Sequence, residues 1–235
     1  MDRFLVLFRG KTTIIENFIY RFQETVRKCW DQPVRDGLGR SEGTCGELAA
    51  RIAMLHLVFE EAGLRPGDHI AVHSCGGSNS LETLMGPICG GYVSVLIPDG
   101  LTARRASEIA ARSGSKILFT SAEAFRSMNP EDMPQVKGII DSDTLECLGG
   151  TERFVRTYRS RTDLYNTAYP LGVKPRNLTY QGMGFGETCA IVYTTDTTGC
   201  PRSMTLNVQN FSSLPFSTIF DGTAFFHFQR GNGYI

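Results

Sequence analysis

The sequence lacks long apolar runs. In a chain of 235 residues, no stretch approaches the roughly 20 apolar residues that a transmembrane helix needs. The apolar run near the N-terminus, Phe4–Phe8, has only five residues, which is too short for the apolar segment of a signal peptide. We therefore expect a cytoplasmic protein without a transmembrane segment.

An excess of charge of either sign is also missing. Lys plus Arg and Asp plus Glu each number 24, so the formal net charge is zero. Nucleic acids and anionic membrane surfaces are bound through an excess of positive charge. The balance therefore argues against a nucleic acid or a membrane surface as a partner.

Metal-binding motifs are the third absence. No cysteine pair has CxxC spacing, and the four histidines show neither an HExxH motif nor Cys/His ligand spacing. An odd, scattered set of cysteines is typical of reduced thiols in a cytosol rather than of a disulfide framework or a zinc site. We assign no metal ligand and no catalytic residue. The seven cysteines are Cys29, Cys45, Cys75, Cys89, Cys147, Cys189 and Cys200.

What the sequence has is enough apolar content, 41%, for a substantial core. Its apolar periodicity predicts alternating helices and strands along the first 140 residues. The predicted helices are Ile14–Trp30, Gly46–Ala62, Leu81–Cys89 and Ala103–Arg112. The predicted strands are His69–Ser74, Tyr92–Ile97, Lys116–Thr120 and Lys137–Ile140.

This alternation predicts an α/β fold, a layered parallel sheet with flanking helices. The Tyr92–Ile97 segment is apolar on both faces, as a covered central strand should be. Residues 150–186 break the pattern with prolines and glycines, so we interpret them as a long connection. The arginines within that segment allow a phosphate site, but a solvated helix face is favoured; they are Arg153, Arg156, Arg159 and Arg161.

A hydroxyl-rich stretch, residues 193–203, follows the strand-like run Glu187–Tyr193 and is the main functional candidate. We interpret it as a surface loop after a strand, because threonines, glycine and proline make poor helix and poor core. Backbone N–H groups and threonine hydroxyls would cradle phosphate oxygens, and Arg202 would supply positive charge. The candidate phosphate-binding residues are Thr194, Thr195, Thr197, Thr198, Gly199 and Arg202.

The same stretch resembles the phosphate-binding signature of adenylate-forming enzymes, Tyr-Thr-Ser-Gly-Thr-Thr-Gly-x-Pro-Lys-Gly. The outright matches are Tyr193, Thr194, Thr197, Thr198, Gly199 and Pro201. Thr195 and Arg202 are mild replacements for serine and lysine. Asp196 and Ser203 replace glycines and are larger departures, because a carboxylate repels a triphosphate and a Cβ obstructs close backbone approach.

Four further segments resemble the family in the same order along the chain. They are Thr44–Leu48, Gly67–Val72, Cys89–Pro98 and Ser113–Thr120. Residues 14–206 thus look most like the N-terminal subdomain of a bacterial long-chain fatty acid–CoA ligase. Residues 207–235 are interpreted as a tail, in which Leu214–Phe220 resembles a shortened form of the next family segment.

The resemblance implies an AMP-forming acyl-CoA synthetase with ATP and Mg²⁺ as cofactors and a fatty acid and CoA as partners. The family's adenine-binding and ribose-binding motifs and its catalytic lysine have no counterpart in the sequence. The alternative is therefore a truncated, catalytically silent member that binds nucleotide or a partner at most, and activity of this chain alone is not expected. An incomplete subdomain would also expose an apolar face, which predicts association.

Overall fold

The computed structural model describes residues 3–8, 11–35, 41–73, 79–195 and 201–213. The strands are β1 Arg3–Phe8, β2 Lys11–Glu16, β3 Pro33–Arg35, β4 Ser41–Thr44, β5 His69–His73, β6 Val93–Ile97, β7 Ile117–Thr120, β8 Gly138–Asp141, β9 Cys147–Gly150, β10 Thr188–Thr195 and β11 Pro201–Asn207. The helices are α1 Phe18–Lys28, α2 Cys45–Glu61, α3 Ser80–Cys89, α4 Ala103–Arg112, α5 Ala122–Phe125, α6 Glu152–Arg159, α7 Arg161–Ala168 and α8 Val208–Ser212.

A seven-stranded mixed sheet organises the fold, with the strand order β11-β10-β6-β5-β7-β8-β9. The five central strands run parallel, whereas β11 and β9 pair antiparallel at the two edges. The predicted α/β class with a parallel sheet is confirmed for this centre. The two antiparallel edge strands were not predicted, because β9 is short and β11 contains residues that disfavour strands.

Helices cover both faces of the sheet. One apolar core lies between the sheet and α1, α2, α3 and α6, and a second lies beneath α4 and the segment around Met128 and Met133. All five residues of β6 are buried, as expected for a strand covered on both sides. Each core therefore forms on one side of the same strands.

Local signals in the sequence explain where the predicted helices begin. At α2, the Thr44 hydroxyl accepts from the Glu47 N–H, and the Glu47 carboxylate accepts from the Thr44 N–H, which forms a capping box. At α4, the Thr102 hydroxyl accepts from the Arg105 N–H. Helix α3 ends at Cys89 with Gly90 as its C-cap, and Gly91 follows with φ +77, where an added Cβ would lie 2.7 Å from the Gln181 side chain.

The first predicted helix begins later than expected. Residues 11–16 form β2, which pairs antiparallel with β1 so that Ile14 lies opposite Leu5 and Ile15 opposite Phe4. The prediction that Ile14 and Ile15 belong to the helix was wrong, because the β-branched run favours a strand. Asn17 then caps α1, its side chain accepting from the Ile19 N–H.

Residues 150–186 contain two helices, so interpreting the whole segment as a connection was wrong. Thr151 caps α6, and the buried side chains of Phe154 and Tyr158, four residues apart, hold it against the core. Because only two large apolar residues anchor this helix, its periodicity is weak in the sequence. Three of its arginines, Arg153, Arg156 and Arg159, are exposed.

Candidate functional site

The described parts of the predicted phosphate-binding stretch lie on two antiparallel strands rather than in a loop. Thr194 and Thr195 complete β10, and Arg202 lies on β11, so interpreting all of residues 193–203 as a loop was wrong. In the sequence Pro201 favours a loop, but proline is tolerated at the first residue of an edge strand. Thr197, Thr198 and Gly199, and with them Asp196, lie outside the described residues.

The hairpin register brings two of the predicted residues together. Thr194 lies directly opposite Arg202, one position before Thr195 opposite Pro201. Residues directly opposite on an antiparallel pair point to the same face, with Cβ atoms about 5 Å apart. A hydroxyl and a guanidinium therefore share one face of the hairpin. Both groups can donate hydrogen bonds to phosphate oxygens.

The hairpin extends beyond the carboxyl edge of the parallel sheet. The pairing of β10 with β6 ends at Val192 opposite Leu96, so Thr194 and Thr195 continue past the last paired position. Tyr193 packs on the α4 side of the sheet, and Val192 is buried on the opposite side. Since side chains alternate along a strand, Thr194 points to the same side as Val192. Thr194 is half-buried and Arg202 is exposed.

The same carboxyl edge carries buried polar groups at the ends of the neighbouring strands. His73 ends β5 and Thr120 ends β7, and His73 Nδ1 lies 3.0 Å from Thr120 Oγ1. Next to them, the Ser142 N–H donates to the Thr120 carbonyl, and the Asp143 N–H donates to Asp141 Oδ1. In open α/β sheets, ligands bind outside the carboxyl ends of the strands, where the chain connections diverge.

That divergence lies between β5 and β7. From β5 the chain passes through α3 on one face to β6, whereas from β7 it passes through α5 to β8 on the other side. The connections after these two adjacent strands thus leave in opposite directions. The His73–Thr120 contact therefore lies at the topological switch point, two strands away from β10.

The surroundings of His73 favour its neutral ring over its charged form. Burial lowers its pKa, while the negative charge of Asp99 and the backbone of Leu101 act in the opposite direction and are smaller effects. His73 is 4% exposed, and its Nε2 atom makes no hydrogen bond of good geometry in the part of the chain that the structure describes. The buried hydroxyl of Ser142 is in the same situation. Among the described residues, these two buried polar atoms at one edge thus have no hydrogen-bond partner of good geometry.

Sequence reasoning treated His73 as an ordinary structural histidine and singled out neither Thr120 nor Ser142. Their proximity depends on strand order and register, which no local pattern encodes. The one available signal was position, because each of these residues ends or follows a predicted strand.

For the described residues, no group of three or more His, Cys, Asp or Glu side chains is placed to hold a metal ion. None of the described helices could span a bilayer.

Comparison with solved structures shows which proteins share this fold. Apo MatB from Rhodopseudomonas palustris superposes with a TM-score of 0.60 at 16% identity, covering 84% of this chain and 35% of its own. The anthranilate CoA ligase AuaEII, in complex with anthranoyl-AMP, gives 0.62 at 14% identity, covering 83% and 35%. A benzoate CoA ligase from Burkholderia xenovorans LB400 superposes with a TM-score of 0.59 at 15% identity, covering 83% of this chain and 35% of its own.

These identities are low, so the structures show a shared fold, and the chain spans about a third of their length. No curated protein matches the sequence. The sequence profile described as AMP-binding enzyme matches residues 22–228, which is most of the chain. Together with the fold, this match shows that the chain belongs to the AMP-binding enzyme family.

Proposed function

We propose that the chain carries the ATP-phosphate-binding part of an AMP-forming acyl-CoA synthetase, a fatty acid–CoA ligase. The observation that carries this proposal is the opposition of Thr194 and Arg202 on a hairpin beyond the carboxyl edge of the sheet. One solved structure with the same fold is ATP-bound MatB, at 18% identity and a TM-score of 0.56. The location of the hairpin and the family match both support a phosphate site.

The residues of the hairpin fit a triphosphate chemically. The Thr194 hydroxyl donates to a phosphate oxygen, and Arg202 adds a charge-assisted hydrogen bond. Thr195, Thr197, Thr198 and Gly199 contribute hydroxyl and backbone N–H donors in the proposal. Mg²⁺ would be held largely through the phosphates, because it commonly keeps waters and takes few protein ligands.

The chain's part in the reaction is positioning and charge neutralisation. Acyl-adenylate formation needs the acid's carboxylate in line with the α-phosphorus while negative charge on the leaving pyrophosphate is neutralised. Donors at residues 194–202 would hold the pyrophosphate end of ATP. The fatty acid and CoA are proposed partners, and the cytoplasm is the proposed location.

A catalytically silent member of the family is the second candidate, and Asp196 favours it. A carboxylate replaces the glycine of the family signature in the middle of the phosphate loop. At about 4 Å, like charges repel by about 1 kcal/mol in water and more where water is excluded. The chain would then bind nucleotide weakly or bind only a partner.

Calorimetry with MgATP separates the two candidates. We expect wild type to bind with a Kd below about 1 mM, and Asp196→Gly to bind at least about fivefold more tightly because the repulsion is gone. Thr194→Val, which removes the hydroxyl and keeps the shape, should weaken binding. Thr205→Val on the exposed part of β11 is the matched control and should leave binding unchanged.

Two results decide against a working phosphate site. If neither wild type nor Asp196→Gly binds MgATP below about 1 mM, the hairpin is not a nucleotide site in this chain. If Asp196→Gly binds but wild type does not, the silent candidate is supported. Release of pyrophosphate on addition of a fatty acid to this chain alone would instead establish the ligase activity and exclude silence.

A further inference from the structure

A cavity of about 210 Å³ lies at the opposite end of the carboxyl edge, between α2, α6 and the turn that joins β8 to β9. One face of α2 supplies Arg51, Met54, Leu55 and Val58 at the spacing that puts side chains in a single row. A dry cavity of ~150 Å³ takes up benzene. This one therefore has room for a short carbon chain with a polar head.

Two guanidinium groups and one carboxylate line the cavity together with its apolar wall. Arg161 Nη2 lies 3.0 Å from Glu146 Oε1, and the Arg161 guanidinium lies over the Tyr158 ring at 4.6 Å. Glu146 is 63% exposed at its side chain, so this ion pair is weak. Arg51 Nε donates to the fully buried Glu82 at 2.6 Å. The lining thus carries two guanidinium groups and one carboxylate, and the buried Glu82 behind it balances the remaining positive charge.

The turn that closes the cavity holds an unusual backbone conformation. Leu145 has φ +54, and it is the one non-glycine residue with positive φ among the described residues. Its carbonyl accepts from the Tyr158 hydroxyl, and its half-buried side chain lines the cavity. Asn79 Nδ2 also donates to the Asp143 carbonyl at 2.6 Å, which ties the turn to the start of α3. Such residues concentrate at ligand clamps, where the surrounding contacts impose the conformation.

We propose that this cavity binds a small monocarboxylate with a short apolar chain. The carboxylate would be held by Arg161 and Arg51, because guanidinium groups match carboxylates in charge and in donor geometry. The carbon chain would lie against Met54, Val58 and Leu145. Ligand sites of this kind combine an apolar lining with a few convergent polar groups.

The cavity is separate from the proposed phosphate site, and its occupancy does not depend on that proposal. It adjoins the end of β8, which is four strands away from β10 in the sheet. At about 4.8 Å per strand, the two strands lie about 19 Å apart. MgATP and the carboxylate are therefore expected to bind without competing.

Titration of the full chain with hexanoate and with 1-hexanol, followed by calorimetry, tests the assignment. We expect saturable hexanoate binding at least about tenfold tighter than hexanol binding, since hydrogen bonds to charged groups are stronger than those between neutral groups. Arg161→Gln should weaken hexanoate binding about tenfold and leave hexanol unchanged. Glu146→Gln should tighten hexanoate binding by about two- to fivefold, because the weak competing pair is removed.

The opposite signs of these two variants keep the test independent of folding, since general destabilisation would weaken both. Met54→Trp fills the cavity and should abolish binding of both probes, whereas Leu57→Trp, outside the cavity lining, should not. No saturable hexanoate binding, or equal binding in Arg161→Gln, Glu146→Gln and wild type, would overturn the proposal. Displacement of hexanoate by MgATP would overturn the separate site.

Discussion

The two halves of the sheet differ in how they are held. Strands β5 to β8 lie between helices, and every residue of β6, β7 and β8 is buried. On β11, at the other side, Arg202, Ser203 and Thr205 are exposed, and Leu206 is the one buried residue among those whose burial the structure describes. The family signature thus lies on the less enclosed half. Substitutions of the exposed residues on β11 are therefore expected to cost little core packing.

The largest expected effect is in the enclosed half. Phe59 on α2 is fully buried and contacts Tyr92 and Phe119 edge-to-face, with ring centroids 5.6 and 6.3 Å apart. Phe59→Ala should lower the free energy of unfolding by about 3–5 kcal/mol through lost burial and a residual cavity. Urea unfolding followed by circular dichroism measures this. Tyr20→Ala, at a side chain that is 39% exposed, should cost well under half as much; equal losses would contradict the packing argument.

A close contact between β8 and α6 gives the next largest effect. A Cβ added at Gly138 would lie 2.2 Å from the Phe154 ring, whereas one added at Gly182 would meet nothing within 4 Å. Gly138→Ala should therefore cost about 1–3 kcal/mol of stability by overpacking. Gly182→Ala is the matched control and should be neutral within about 0.5 kcal/mol. Thermal melts of the two variants compare them directly, and a neutral Gly138→Ala would mean that α6 moves freely against β8.

Loss of the capping box at α2 has a smaller effect. Thr44→Ala removes the hydroxyl that accepts from the Glu47 N–H, and this type of change costs about 1 kcal/mol. Thr44→Ser keeps the acceptor and should restore most of the stability. The free energy of unfolding from urea titration distinguishes them. An alanine variant as stable as the serine variant would show that tertiary packing alone fixes the start of α2.

The enclosed half is also the part that the sequence predicts well. Thr44, Thr102 and the glycines after α3 mark helix ends by local chemistry, so the predicted and observed boundaries agree there. Helix α6 was predicted only as a solvated helix face that carries the arginines, because its two buried anchors, Phe154 and Tyr158, give little periodicity. Strand β11 was missed because its pairing with β10, and not its composition, makes it a strand.

The candidate site was predicted less completely than the fold. The sequence named Thr194 and Arg202 as candidate phosphate-binding residues, but their direct opposition depends on hairpin register. The contact of His73 with Thr120 joins residues 47 positions apart and depends on strand order. The boundaries of the subdomain at residues 14 and 206, and an apolar association face, stay predictions. The large exposed apolar side chains in the described ranges are Tyr20 and Leu171.

The smallest effect concerns pH and tests whether the buried edge at β5 is neutral. Burial holds the pKa of His73 below its value in the unfolded chain, about 6.5. The unfolded state therefore binds a proton first as the pH falls, so stability is complete above about pH 6.5 and declines below it, toward the folded pKa. His73→Asn, whose amide can keep the contact with Thr120, should flatten the decline between about pH 6.5 and 5 and change little at pH 8. Urea unfolding of both proteins across this range measures the difference, in which shared carboxylate contributions cancel. Parallel curves would show that His73 is protonated as readily in the fold as in the unfolded chain, and the β5 edge would then be as open to water as the hairpin.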